Sequence, residues 1–243
     1  MNLIVDIGNS LLKIAIVEHD EVIEQRTCGQ LSDDTVRDIL SRYPSLQQSI
    51  VASTSVATSQ VADLLRECGL QVLEMTSSVP VPIGNDYLSP ETLGVDRLAA
   101  AVGAVEVMGH RDCLIVDFGT AITIDLVENG VFRGGNISPG ARSRFRALHD
   151  YTSRLPMCDV TDEILQLGRT TQQAIEQGVM EGITHEIEGY IRSFSLHNDK
   201  LTLIFTGGDA NFFVKRIKNA IFAKCDLVLC GLNRILEYNA RNI

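Results

Sequence analysis

The sequence predicts an α/β protein built from two related domains. Short β-rich runs alternate with helical patterns along the whole chain, which is typical of α/β and mixed architectures. One strand, turn and strand unit also occurs twice, half a chain apart, because Ile4–Val17 can be laid over Ile115–Glu128 without a gap. A length of 243 residues suffices for two small domains that each bury a core. We therefore expect two similar domains that face each other across a cleft.

The first half predicts an antiparallel meander followed by a βαβ pattern. Turn signals at Gly8-Asn9 and His19-Asp20 separate three β-rich runs, which we interpret as successive strands. Ser32 can cap one helix and Gly69 can end another, while prolines at positions 80 and 82 impose an extended loop. The predicted elements are strands 5–8, 13–17 and 22–27, helix 32–43, strand 50–52, helix 56–68, strand 71–73 and helix 95–108.

The second half repeats the opening pattern and then becomes mainly helical. The repeated unit continues through an Asn129-Gly130 turn into a third strand. Gly-rich stretches at 134–140 and 206–209 stand at strand-to-helix junctions, and the apolar run between Cys225 and Cys230 predicts another strand. The remaining predicted elements are strand 131–137, helix 140–149, helix 170–194, strand 201–205 and a helix that follows the 206–210 turn.

Composition and charge exclude several classes of protein. The chain has 31 acidic and 21 basic residues, a formal net charge of −10 and no long basic run, which disfavours non-specific nucleic-acid binding. No stretch reaches the ~18 apolar residues of a membrane span, and Asp6 stands where a signal peptide would carry basic charge. The six cysteines form no CxxC pair or zinc pattern, so we expect reduced thiols and a cytoplasmic protein.

Two Asp-x-Gly turns are the strongest chemical signal. The repeat pairs Asp6 with Asp117 and Gly8 with Gly119. Glycine in such a turn lets the backbone approach a phosphate without a Cβ in the way. The residues that follow offer hydroxyl or amide groups: Asn9, Ser10 and Thr120. A single Asp-x-Gly is also an ordinary hairpin turn, but two in register predict a site for phosphates and their metal ions.

Three charged residues are further candidates. Lys13, in the strand after the first turn, could reach back to a phosphate or could simply be a snorkelling edge-strand lysine. Asp96 falls in the first turn of a predicted helix, where an acid could be a general base or could only complement the helix macrodipole. Arg97 beside it could recognise a carboxylate or a phosphate through two hydrogen bonds.

Taken in order, these motifs resemble those of the type III pantothenate kinases. The matching segments are Asp6-Ile7-Gly8-Asn9-Ser10-x-x-Lys13, Tyr87, Gly94-Val95-Asp96-Arg97, Asp117-Phe118-Gly119-Thr120-Ala121, Gly134-Gly135-x-Ile137-x-Pro139-Gly140 and Thr206-Gly207-Gly208. The resemblance implies the fold of the acetate and sugar kinase, heat-shock-70 and actin superfamily. That fold has two ribonuclease-H-like domains, here 1–112 and 113–243, with a mixed sheet in each and a cleft between them. The resemblance also implies a homodimer that phosphorylates pantothenate with ATP.

The same resemblance implies a role for each motif residue. Asp96 would be the catalytic proton acceptor, Asp117 would hold a monovalent cation (potassium or ammonium), and Mg²⁺ would bridge the phosphates. The residues implied to bind ATP are Asp6, Ile7, Gly8, Asn9, Ser10, Leu11, Leu12, Lys13 and Thr120. Those implied to line the pantothenate site are Tyr87, Gly94, Val95, Asp96, Arg97 and Thr171. Thr171 would reach the site from the other half or from the partner subunit, and the adjacent Thr170 could take its part.

Two other functions remain open from the sequence. One is another phosphotransferase or phosphatase of the same superfamily with a different acceptor pocket, since a fold does not fix a function. The other is a non-catalytic accessory factor for transcription, as some relatives of this family were first described. Retention of Asp6, Asp96 and Asp117, together with the lack of a basic nucleic-acid surface, favours the enzyme.

Overall fold

The computed structural model describes residues 1–8, 12–19, 21–53, 58–109, 112–198, 200–218, 221–222 and 226–240. Its strands are β1 (Asn2–Ile7), β2 (Leu12–Glu18), β3 (Glu21–Cys28), β4 (Gln48–Ser53), β5 (Gln71–Glu74), β6 (Gly84–Asn85), β7 (Cys113–Phe118), β8 (Ala121–Glu128), β9 (Val131–Pro139), β10 (Thr202–Thr206) and β11 (Ile221–Phe222). Its helices are α1 (Asp33–Arg42), α2 (Thr58–Glu67), α3 (Val95–Met108), α4 (Ala141–Asp150), α5 (Thr171–Ser195), α6 (Ala210–Val214) and α7 (Leu227–Asn239). None of the described helices combines the length and the apolar character needed to cross a membrane.

The chain divides into two compact units. The first contains Met1–Arg111, Gly130–Arg133 and Cys225–Ile243, and the second contains Asp112–Asn129 and Gly134–Lys224. Helix α7 therefore groups with the first unit, whereas the expected division at residues 112 and 113 assigned it to the second half of the chain.

The first unit is built on a five-stranded sheet in the order β3-β2-β1-β4-β5. Strands β1, β2 and β3 are antiparallel neighbours, which confirms the predicted meander. Strands β4 and β5 extend the sheet in parallel with β1, so the sheet is mixed. Leu3, Ile4 and Val5 are all buried, as expected for a central strand that is covered on both faces. Asp6 is thus carried by a strand that lies inside the core.

Two predicted helix ends of the first unit are confirmed. Helix α1 begins after Ser32, whose hydroxyl accepts a hydrogen bond from the backbone N–H of Thr35 at 3.3 Å. Helix α2 ends just before Gly69, which has a φ of +92° and so adopts the left-handed conformation that glycine favours. The predicted start of α2 at Val56 lies outside the described residues.

The second unit carries the strand order β11-β10-β7-β8-β9. Strands β7 and β8 are antiparallel, whereas β10 is parallel to both β7 and β11, so this sheet is mixed as well. Asn129 and Gly130 have φ values of 52° and 70°, which fits the predicted turn between β8 and β9. In the first unit, the two-residue strand β6 pairs with the start of β9, and the sequence did not predict it because so short a strand has no periodicity.

The predicted strand between Cys225 and Cys230 is wrong, because this segment opens helix α7. Asp226 caps the helix through a hydrogen bond that its Oδ1 accepts from the backbone N–H of Val228 at 3.1 Å. Leu227, Val228 and Leu229 are all buried. A short, continuous apolar run is compatible with a buried strand or a buried helix, and periodicity alone does not distinguish them.

Helices α3 and α7 pack closely in the first unit because glycines lie where they touch. A Cβ added at Gly231 would overlap the carbonyl oxygen of Ala99, and one added at Gly103 would overlap the carbonyl oxygen of Leu227. The two backbones are therefore in direct contact, which only residues without a Cβ permit at these positions.

We predict that Gly231→Ala destabilises the protein by about 3 kcal/mol, because the new methyl group must push the two helices apart. Gly182→Ala in α5 is the matched control, since a Cβ at that position meets no atom within 4 Å. The control should be neutral or stabilising by about 0.5–1 kcal/mol. Urea denaturation measures both changes, and a Gly231→Ala protein as stable as the wild type would contradict the close helix contact.

Candidate functional site

Each Asp-x-Gly turn follows the first strand of a meander, at the same place in the two units. Asp6 on β1 lies opposite Lys13 on β2, and Asp117 on β7 lies opposite Thr123 on β8. The ungapped overlay of the two segments is therefore wrong by one residue in the second strand, where it pairs Lys13 with Ile124. The physical reason is the length of the turn, counted between the last paired residues of the two strands. Four residues separate Ile7 from its partner Leu12, whereas three separate Phe118 from its partner Ile122.

Asp6 is a buried acidic residue, with 8% of its surface exposed to solvent. Burial raises the pKa of Asp6 from its ordinary value of 3.8 to about 6. The ammonium of Lys13 opposes this shift, whereas the nearby carboxylates of Asp226 and Asp96 add to it. Asp6 therefore interacts electrostatically with Lys13, Asp226 and Asp96, and we call these four residues the Asp6 cluster.

Lys13 is held within this cluster by an ion pair. Its Nζ donates a hydrogen bond to Oδ2 of Asp226 at 2.5 Å. Sequence analysis did not include Asp226 in the site, and the two residues are 213 positions apart. An acid ahead of an apolar run is a capping signal, but it carries no information about a distant lysine.

The other residues of the predicted first phosphate loop fall into two groups. Ile7 and Leu12 bury their side chains in the core of the first unit, so their contribution to a ligand site would come from the backbone. Asn9, Ser10 and Leu11 lie outside the described residues, and Gly8, which precedes them, is partly buried.

Asp96 and Arg97 lie in the first turn of α3, as predicted. Oδ1 of Asp96 accepts a hydrogen bond from the backbone N–H of Arg97 at 2.8 Å. A Cβ at Gly94 would overlap the same oxygen, so this glycine makes room for the carboxylate. Val95, between them, is partly buried. The Asp96 carboxylate therefore has a contact at the helix end in addition to its place in the Asp6 cluster.

Arg97 is buried, with 6% of the residue exposed, and its guanidinium lies close to two aromatic rings. Cζ of Arg97 is 5.7 Å from the ring centroid of Tyr87 and 5.8 Å from that of Phe132. The two ring centroids are 6.0 Å apart. Cation–π attraction of this kind restrains a guanidinium without using its hydrogen-bond donors. Tyr87 was predicted here from the sequence, whereas Phe132 was missed because only the glycines that follow it form a recognisable pattern.

Glycine-rich segments of the second unit converge on the second Asp-x-Gly turn. A Cβ at Gly207, which has a φ of +93°, would overlap Oδ1 of Asp117. A Cβ at Gly140 would overlap the carbonyl oxygen of Gly119, and the Gly140 N–H donates a hydrogen bond to the carbonyl oxygen of Thr120 at 3.0 Å. The backbone around Asp117 and Thr120 is therefore packed at a density that requires glycine in both neighbouring segments.

Thr170 and Thr171 have different surroundings at the start of α5. The hydroxyl of Thr170 caps the helix by accepting a hydrogen bond from the backbone N–H of Gln173 at 3.2 Å. Thr171 instead lines a cavity of about 760 Å³ along α4 and α5. The other residues lining this cavity include Arg144, Leu148, Tyr151, Leu155 and Val179.

Asp6, Asp96 and Asp226 are acidic side chains of the first unit, and carboxylates are usual ligands of Mg²⁺. The part of the chain that the structure describes contains no group of three or more His, Cys, Asp or Glu side chains able to hold a metal ion. Magnesium usually keeps several waters and binds through one or two carboxylates together with substrate phosphates. Asp6 offers one carboxylate of this kind at the end of β1.

Comparison with known proteins extends these observations. Residues 2–193 match the family model described as type III pantothenate kinase. The chain is 41% identical over 240 residues to a type III pantothenate kinase of Phocaeicola vulgatus, with 98% of this chain and 99% of the relative covered. It is 38% identical over 242 residues to a type III pantothenate kinase of Porphyromonas gingivalis, with 98% of each chain covered.

Two solved structures share the fold. A conserved Baf family protein from Campylobacter jejuni, described as a candidate transcriptional activator, has a TM-score of 0.65 and 23% identity, and covers 98% of this chain and 99% of its own. MreB5 of Spiroplasma citri, bound to ADP, has a TM-score of 0.51 and 10% identity, and covers 100% of this chain and 98% of its own. Together with the two mixed sheets, these likenesses confirm the predicted two-domain, actin-like fold. Because the sequence matches extend over nearly the whole chain and include the motifs described above, the protein belongs to the type III pantothenate kinase family.

Proposed function

We propose that this protein transfers the γ-phosphoryl group of ATP to the primary hydroxyl of pantothenate, which gives 4′-phosphopantothenate, the first step toward coenzyme A. The observation that carries the proposal is the Asp6 cluster. It joins a phosphate-loop aspartate and lysine to Asp96, the residue proposed to act on the acceptor, in one coupled group. A kinase needs its phosphate-binding and acceptor-binding groups within such reach of each other.

Phosphoryl transfer mainly requires that the reactants are positioned and that their negative charge is neutralised, because its transition state is largely dissociative. Mg²⁺ bound with ATP supplies much of that neutralisation. Lys13 adds an ammonium next to the turn that follows β1, where the backbone after Asp6 is proposed to receive the phosphates. This ammonium is one cation among the three carboxylates of the Asp6 cluster, so it reduces, without reversing, the repulsion that a chain with a net charge of −10 exerts on an anionic nucleotide.

Asp96 is proposed to accept the proton of the pantothenate hydroxyl. Bond formation to phosphorus acidifies this proton late in the reaction, so a carboxylate is a strong enough base. The hydrogen bond from the Arg97 N–H and the space left by Gly94 hold the carboxylate at the start of α3.

Arg97 is proposed to bind the carboxylate of pantothenate. Its contacts with the rings of Tyr87 and Phe132 restrain the side chain, and a guanidinium restrained in this way loses less entropy when it forms two parallel hydrogen bonds. A carboxylate-bearing acceptor fits this site better than a neutral sugar does, because a buried cation gains most from an anionic partner.

The second unit is proposed to contribute Thr120 to ATP and Asp117 to a monovalent cation. Gly140 and Gly207 support both assignments, because they let neighbouring backbone approach these two residues closely. We further propose a homodimer in which Thr171 contributes to pantothenate binding, since its cavity carries exposed apolar side chains such as Tyr151. The cytoplasm, where thiols stay reduced, is the proposed location.

The proposed reaction is tested by mass-spectrometric detection of 4′-phosphopantothenate after incubation with Mg-ATP, potassium and pantothenate. Parallel reactions with sugars, acetate and polyphosphate distinguish another kinase of the superfamily. A protein that binds ATP but phosphorylates none of these acceptors would instead favour the accessory-factor function.

We predict that Asp96→Asn lowers kcat by about 10²-fold or more while ATP binding stays nearly intact, because the variant keeps the shape of the side chain and loses the base. Asp34→Asn is the matched control, since Asp34 is an acid in the first turn of α1 and lies outside the proposed site. Steady-state kinetics and calorimetric titration with ATP measure the two effects. Turnover at the wild-type level would remove Asp96 from the role of proton acceptor.

We predict that the stability of the Asp6→Asn variant, relative to that of the wild type, increases as the pH rises. The pKa of Asp6 is raised on folding, so the wild type loses stability as the pH rises from about 4 to about 6, and the variant lacks this loss. The difference in unfolding free energy between variant and wild type should shift in favour of the variant by about 2 kcal/mol between pH 4.5 and pH 7.5. Urea denaturation at both pH values measures the shift, and a difference that does not depend on pH would contradict the buried carboxylate.

We predict that replacing potassium by sodium lowers the activity of the wild type, because the proposed site at Asp117 selects a larger monovalent cation. Asp117→Asn should be poorly active in both salts and should lose the preference. The measurement is kcat in matched chloride buffers of equal ionic strength. Equal activity of the wild type in the two salts would count against Asp117 as a ligand of the cation.

A further inference from the structure

The ion pair between Lys13 and Asp226 joins the start of the chain to its C-terminal segment. The distance from Nζ to Oδ2 is 2.5 Å, and the side chains are 37% and 16% exposed. The pair lies wholly within the first unit. The phosphate-loop motif extends only from Asp6 to Lys13, so it does not include an acidic partner for this lysine.

Asp226 has a second hydrogen bond that restrains its carboxylate, whereas a lysine side chain has many rotamers. Oδ1 of Asp226 is fixed by its hydrogen bond from the Val228 N–H at the start of α7. The helix is itself anchored, through Gly231 against Ala99 of α3 and through the hydrogen bond from Asn2 Nδ2 to Asn233 Oδ1 at 2.8 Å. A lysine side chain has four rotatable bonds, and much of its rotamer freedom must be lost before its ammonium stands at one point. A fixed carboxylate oxygen supplies that restraint.

We infer that Asp226 is a positioning residue, which holds the Lys13 ammonium in place on β2, opposite Asp6, before nucleotide binds. The inference rests on the proposed role of Lys13 at the phosphates. It adds Asp226, from the opposite end of the chain, to the residues that position this lysine, so the start of α7 contributes to the nucleotide site.

Helix capping alone does not account for an acid at this position. Serine and asparagine cap helices about as well as aspartate does, and the further gain from a negative charge at a helix N-terminus is only about 0.3–1 kcal/mol. The Asp226 carboxylate interacts with Asp6, where a further negative charge disfavours ionisation and adds to the rise in the pKa of Asp6. The compensating interaction is the one with Lys13, so the charge at residue 226 is explained by the lysine that it holds.

A contribution to stability does not account for the pair either. Ion pairs that are open to solvent contribute about 0–1 kcal/mol, and the Lys13 side chain is more than one third exposed. The chain contains a matched pair of the same residue types, Lys215 and Asp162, at 2.6 Å with both side chains about 60% exposed. That pair lies in the second unit and provides the control.

The test is a double-mutant cycle with Asp226→Asn, Lys13→Met and the combined variant, with Asp162→Asn as control. Asparagine keeps the cap and removes the charge, so the melting temperature should stay near that of the wild type. We expect Asp226→Asn to lower kcat/KM for ATP by about 10- to 100-fold, with KM for pantothenate changed by less than about 2-fold. In the Lys13→Met background the same substitution should change kcat/KM by less than about 2-fold. Asp162→Asn should leave all constants unchanged.

The possible results separate this inference from the proposed function. Loss of activity in Lys13→Met with normal kinetics in Asp226→Asn would overturn the inference and leave the proposed role of Lys13 intact. Equal losses for Asp226→Asn with and without Lys13 would show a merely structural role and would also overturn it. Normal ATP kinetics in Lys13→Met would overturn the role of Lys13 itself. If Asp226→Asn does not fold, Asp226→Ser, which keeps a capping hydroxyl, takes its place in the cycle with the same expected results.

Discussion

The close contact between α3 and α7 is the constraint on which the first unit depends. Gly103 and Gly231 allow the two helix backbones to touch. The first turn of α3 carries Asp96, and the cap of α7 is Asp226, so the packing of the helices also determines where these two carboxylates stand relative to β1. Asp6 and Lys13 lie at the end of β1 and on its neighbour. A core contact between small residues thereby arranges the charges of the candidate site.

This arrangement of charges is unfavourable for the stability of the fold and useful for the reaction. A buried carboxyl group with two further carboxylates nearby resists ionisation, which is why the pKa of Asp6 is raised to about 6. Lys13 is a single ammonium in this cluster and offsets only part of the repulsion. Clusters of this kind are concentrated at functional sites, where a bound ligand supplies the missing charge. In the proposed reaction, the magnesium ion that binds with the nucleotide would supply this positive charge.

The Asp-x-Gly turn of the second unit has different surroundings from that of the first. Its Asp-x-Gly turn is surrounded by backbone, because Gly140 and Gly207 bring two strand-to-helix junctions into contact with it. The Gly119 N–H donates to the carbonyl oxygen of Ala121, and the Gly140 N–H donates to that of Thr120, so these contacts fix the shape of the turn. The strand, turn and strand repeat therefore has the same strand pattern in the two compact units. Charged side chains surround it in the first unit, and glycine-rich backbone surrounds it in the second.

The sequence by itself determined the features that depend on near neighbours. The meander, the cap at Ser32, the turn at Asn129-Gly130 and the place of Asp96 in a first helical turn all follow from patterns a few residues long, because turns, caps and periodicity are local. Tertiary structure alone decided that residues 227–239 form a helix against α3, that Asp226 pairs with Lys13, and that Phe132 lies beside Arg97. These three features depend on contacts between residues that are far apart in the chain. The packing of helices and strands determines such contacts, and no local sequence pattern encodes it.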